Sequence, residues 1–128
     1  MRERVRDILV VEDDDTVAAT VTEILVRAGY EVERTRHGAE AVTRLSVPDR
    51  GLPDLLVLSI DIPMKSGIGV LRFLRETLHS RRPVVVLTAG ATPEQEEEIR
   101  KLGASALLSR ATSSEALLGA VRDALRQA

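Results

Sequence analysis

Five short apolar runs, each followed by a stretch with helical spacing, constrain this 128-residue chain more than any other feature. Ile8–Val11, Leu55–Leu58 and Val84–Leu87 are continuously apolar, the pattern of strands covered on both faces. Glu31–Arg34 is more polar and reads as a strand near a sheet edge, and Ala106–Leu108 as a fifth short strand. Between them, apolar residues recur at helical intervals. Val17, Val21, Ile24, Leu25 and Ala28 place a helix over Asp15–Ala28, with Gly29 suited to end it. Gly38–Leu45 is a second helix, followed by the turn-like Pro48-Asp49-Arg50-Gly51. Ile68, Leu71, Leu74 and Leu78 place a third over Lys65–Leu78. Thr92-Pro93-Glu94 offers an N-cap, a proline at the first position and an acid in the first turn of a fourth, which Gly103 follows. Ser114–Arg126 is a fifth, with Leu117, Leu118, Val121 and Leu125 inward. Doubly covered strands joined by helices predict a single (βα)5 doubly wound domain, class α/β. Its five-stranded parallel sheet would span 1–128, with a core of about 7–126 and right-handed crossovers.

Composition narrows the function. Apolar residues are 44% and charged residues 30%, which fits a packed globular domain, and no apolar run approaches the roughly 20 residues needed to cross a bilayer. The charged start MRERVRD lacks the apolar stretch of a signal peptide, so a cytoplasmic location is expected and no membrane contact. Without cysteine there is no disulfide, thiol catalysis or cysteine-ligated metal. A net charge of −2 with mixed signs argues against nucleic-acid binding by this domain alone. Lys65 and Lys101 are the only lysines; all other basic side chains are arginine.

In a parallel sheet, function gathers beyond the C-terminal ends of the strands. That singles out Glu12–Asp15, Ser59–Gly67, Thr88–Gly90 and Ser109–Ala111. Asp14 and Asp15 suit a helix N-cap and first turn, whereas Glu12 and Asp13 are placed to border the pocket. With Asp61 they form an oxygen-rich set of the kind that holds Mg²⁺. The acidic first loop is the opposite of a phosphate cradle, which also argues against a flavodoxin-like binder of a phosphate-bearing cofactor; no nucleophile elbow is present. His37 precedes a helix and His79 ends one, so both read as surface or capping residues.

These residues resemble the receiver domain of two-component response regulators, the CheY-like family, over almost the whole chain. Ile8-Leu9-Val10-Val11-Glu12-Asp13-Asp14 is similar to the family's opening strand and acidic pair, and Pro53–Leu58 to its third strand. Pro63 and Gly67 fall at the family's spacing after that strand, Pro83–Leu87 with Thr88-Ala89 is similar to the fourth strand and switch threonine, and Gly103-Ala104 leads towards the family's lysine. The resemblance implies a chemistry in which an aspartate takes a phosphoryl group. The acidic pair, that aspartate and a carbonyl two residues on hold Mg²⁺; the threonine and lysine bind the phosphoryl oxygens.

Transferred to this sequence, the acidic pair is Glu12 and Asp13, the carbonyl position Asp61 and the switch threonine Thr88. The phospho-acceptor position is Ser59, the lysine position Arg110, the proline after it Ala111, and the aromatic before it Leu107. Ser59 is neither a carboxylate ligand nor an ionised nucleophile; its hydroxyl needs a base, for which Asp13 and Asp61 are candidates, and its phosphate would be a stable ester. Mg²⁺ binding is therefore expected to be weakened, with Glu12, Asp13 and Asp61 the remaining ligands, and no catalytic residue is assigned. Arg110 reads either as drift in an arginine-rich chain or as a guanidinium that pairs with Glu12 or Asp13 and locks one conformation. Arg110, Ala111 and Leu107 depart together with Ser59, so one isolated replacement does not account for the pocket. The expected function is an atypical receiver, a pseudo-receiver acting as a non-enzymatic interaction module in phosphorelay signalling. The resemblance implies a histidine kinase or output protein as partner, on the face of the fourth helix, fifth strand and fifth helix. That face would carry Glu94, Arg100, Lys101, Arg122 and Asp123, and a homodimer could use it too. Two alternatives stay open: a conventional phosphorylation switch on Ser59 or Asp61, and the N-terminal receiver of a larger transcriptional regulator.

Overall fold

The computed structural model describes residues 4–62 and 66–128. The expectations placed on Pro63 and on a helix start at Lys65 lie outside the described residues. Five parallel strands form one sheet: β1 (Asp7–Val11), β2 (Glu31–Thr35), β3 (Leu55–Ser59), β4 (Val84–Thr88) and β5 (Ala106–Ser109), in the order β2-β1-β3-β4-β5. This is the flavodoxin-like order, with its switch point between β1 and β3. All residues of β3 and β4 are buried, as a strand covered on both faces requires, and the polar β2 is an edge.

Helices α1 (Asp15–Arg27), α2 (Gly38–Leu45), α3 (Gly67–Arg72), α4 (Pro93–Lys101) and α5 (Ser114–Gln127) cover the two faces. One core packs Leu9, Val11, Leu56, Leu58 and Val86 against Ile68, Leu71 and Leu74 of the α3 segment; the other packs Ile8, Val10, Val57 and Val85 against Leu25, Leu117 and Val121. Side chains that alternate along each strand thus feed two separate layers.

Local chemistry sets the ends. Asp14 caps α1, its side chain accepting from the Val17 N–H at 3.0 Å. His37 caps α2 by accepting the Glu40 N–H at 3.2 Å. Thr92 and Gln95 form a reciprocal capping box on α4. Two details depart from the sequence reading. Ala28 is exposed, because α1 has ended and Ala28 is its C-cap, while Ala18 takes a buried place. The third helix is not uniform: after Arg72 it widens into one π-helical turn, Phe73–Thr77, and His79 follows at φ 52. Among the described residues, no helix is long and apolar enough to cross a membrane.

Candidate functional site at the C-terminal edge of the sheet

Register brings the candidate residues together. Val11 pairs with Leu58, Ser59 with Leu87 and Thr88 with Ser109, so Glu12, Ser59, Thr88 and Arg110 lie side by side at or just beyond the C-terminal ends of the strands. Glu12 is 1% exposed. Its Oε1 accepts the Ser59 hydroxyl at 2.5 Å, and its Oε2 accepts the Arg110 guanidinium at 2.7 Å and the Asp14 N–H at 3.0 Å. Of the two partners the sequence offered Arg110, the geometry selects Glu12. The carbonyl of Glu12 is held as well, by Nε and a terminal nitrogen of Arg34 at 3.0 and 2.7 Å. Arg34 also reaches Asp15 at 2.9 Å, and this bond, with Arg36 beside it, holds the Asp15 carboxyl below its ordinary pKa. Sequence reasoning missed Arg34. Its position opposite Val10, on the strand neighbouring the acidic loop, was the available signal.

Asp61 does not join Glu12. Its carboxylate turns to the β4–α4 loop, where it accepts the Ala89 N–H at 3.1 Å and lies 3.5 Å from the Thr88 hydroxyl. Thr88 Oγ1 in turn accepts the Gly90 N–H at 2.9 Å. Asp13 is exposed and makes no hydrogen bond or ion pair among the described residues. Neither Asp13 nor Asp61, the bases considered for Ser59, bonds to its hydroxyl; Glu12 does. Leu107 is half-buried on β5, away from this network, and Ala111 donates its N–H to the Ser109 hydroxyl.

The residues expected to hold Mg²⁺ differ in how far their oxygens are engaged. A hard divalent ion needs several oxygens free to converge. Here Glu12 has both oxygens committed, one to a fixed cation, Ser59 supplies a hydroxyl that is itself donating, and Asp61 faces another loop, while Asp13 is exposed with its carboxylate unengaged among the described residues. Among the described residues, no three carboxylate or imidazole groups cluster to hold an ion.

Compared with known proteins, residues 8–122 match the family model described as the response regulator receiver domain. The chain belongs to the response regulator receiver family. It is 31% identical over 124 residues to the polar-differentiation response regulator DivK of Brucella anthropi, covering 96% of this chain and 98% of that protein. The DivK of Brucella abortus stands at the same identity and coverage. Among solved structures, it is similar to the N-terminal domain of a response regulator/sensory box/GGDEF 3-domain protein from Carboxydothermus hydrogenoformans. The TM-score is 0.82 and the identity 32%, covering 95% of each chain. A CheY-like receiver domain protein from Methanospirillum hungatei superposes with a TM-score of 0.88 at 22% identity, covering 97% of this chain and 96% of that one, which shows the shared fold. The receiver thus works in two-component signalling.

Proposed function

We propose that this receiver has given up phosphotransfer to aspartate and acts as a non-enzymatic interaction module in the cytoplasm, with residues 1–128 as the unit. One observation carries this reading: the pocket's donors already face the chain's own carboxylates. Ser59 and Arg110 point to Glu12, and Ala89 and Thr88 to Asp61. An incoming phosphoryl group would have to displace both. Ser59 is 1% exposed, and the one carboxylate placed to take its proton is already paired with Arg110. Mg²⁺, whose charge would otherwise offset the carboxylates, is replaced in that role by a permanent guanidinium.

The receiver's partner, a histidine kinase or an output protein, would dock on the α4–β5–α5 face, and a second copy could use the same surface. A groove of about 470 Å³ supports this, with Pro93, Ile99, Ala106 and Leu107 giving it an apolar floor beside Arg100. Glu94, Lys101, Arg122 and Asp123 are exposed around that face.

Incubation with acetyl phosphate and Mg²⁺ followed by intact-mass measurement tests the reading. No covalent adduct is expected. A phosphoryl adduct that disappears in Ser59→Ala or Asp61→Ala would establish the conventional switch instead.

A further inference from the structure

A second concavity lies at the other end of the sheet, below the starts of β1, β3 and β4. It measures about 690 Å³, and Arg4, Arg6, Arg81 and Arg82 line it together with Asp54 and Gln127. Asp54 organises part of this wall. It is 4% exposed, accepts two bonds from Arg4 at 2.7 and 2.9 Å and the Asp7 N–H at 2.9 Å, and has Arg82 at 3.9 Å. Arg6 and Arg81 are exposed and make no ion pair among the described residues. Among the described residues, four guanidiniums thus line the basin beside Asp54 and the Ala128 end of the chain, with Asp7 3.9 Å from Arg4. The excess charge reaches the neighbouring Arg75, whose pKa is lowered first by burial and then by repulsion from Arg81. A smaller concavity of about 280 Å³ shares Arg81 with Arg75, His79 and Lys101, so the basic surface continues past the rim.

We propose that this basin is a binding site for a compact polyanion bearing several phosphate groups, gripped by Arg6, Arg81 and Arg82. The guanidinium fork matches phosphate oxygens two at a time, and several anionic groups are needed to answer the uncompensated charge. The volume is that of a small-molecule site rather than of a long groove for an extended chain. Its lining has no aromatic ring on which a base could stack. The acidic loop Glu12–Asp15 lies at the opposite end of the strands, away from this basin. The proposal is independent of the reading given to Ser59.

Calorimetric titration of the full chain with tripolyphosphate, at low and high salt, tests it. Saturable binding that weakens with salt is expected, reduced about tenfold or more in R6A/R81A and unchanged in the exposed-arginine control R122A. Among the described residues Arg6 and Arg81 make no ion pair, so R6A/R81A should keep the wild-type urea midpoint. Lack of saturable binding by the wild type, an equal loss in R122A, or binding of a glutamate-rich peptide in place of tripolyphosphate would overturn the proposal.

Discussion

A carboxylate that is 1% exposed at the end of a buried strand must have its charge answered, and three donors from three parts of the chain answer Glu12. Arg110 matters most, because it alone brings a full positive charge; its side chain is 22% exposed. Arg110→Ala should destabilise the domain by about 3 kcal/mol, since it leaves a buried carboxylate unpaired. The same change should open a place for a cation. Mg²⁺ should then raise the urea midpoint of Arg110→Ala while leaving wild type nearly unmoved. An equal response in both proteins would sink the idea that Arg110 closes the pocket. The sequence placed residues 12, 59, 88 and 110 at strand ends because each closes or closely follows an apolar run. It left the partner of Arg110 open between Glu12 and Asp13, since that choice depends on which side of the strand end each side chain leaves. It left the direction of Asp61 open for a similar reason, because Asp61 is fixed by an amide on another loop.

At the level of elements, the five βα units were legible because buried parallel strands and amphipathic helices leave different periods in the sequence. The widened turn Phe73–Thr77 was not, because its apolar residues keep nearly the spacing of an ordinary helix while its backbone bond runs from the Leu78 N–H to the Phe73 carbonyl. Arg75 in that turn donates to the carbonyls of Leu102, Ser80, Arg82 and Gly103, tying together two loops that the sequence shows only as separate. Gly67, noted for its spacing, has a steric reason. A Cβ there would overlap the carbonyl oxygen of Ser59 and the Cα of Ile60, so the start of α3 rests directly on the backbone of the pocket. Gly67→Ala should cost about 3 kcal/mol, read from urea denaturation. Gly119→Ala, inside α5 with open space around its Cβ position, should instead stabilise by about 0.5–1 kcal/mol. Similar effects at the two glycines would remove the steric account of Gly67.

Each end of the sheet is tied together by a buried carboxylate, Glu12 beyond the C-terminal ends of the strands and Asp54 at their starts. At the second of these, the hydrogen bonds from Arg4 hold the Asp54 carboxyl far below its ordinary pKa despite its burial. Asp7 beside it is moved the other way, first by burial and then by its contact with Asp54. The signs oppose. A lowered folded pKa means that Asp54 stabilises the fold above the unfolded carboxyl value near 3.9 and loses that contribution as pH falls further. A raised one means that Asp7 favours the fold more as it takes up its proton, which partly offsets the loss. Asp15, held low by Arg34 and Arg36, adds to the side of Asp54. Acid should therefore weaken the domain chiefly through Asp54 and Asp15. Asp54→Asn keeps the shape and removes the charge. Its deficit against wild type should be widest near pH 7 and should narrow as pH drops below about 4, measured by urea midpoints at each pH. A deficit that stayed constant down to about pH 3 would mean that Asp54 acts through its hydrogen bonds alone, and that the charge of Arg4 is answered elsewhere.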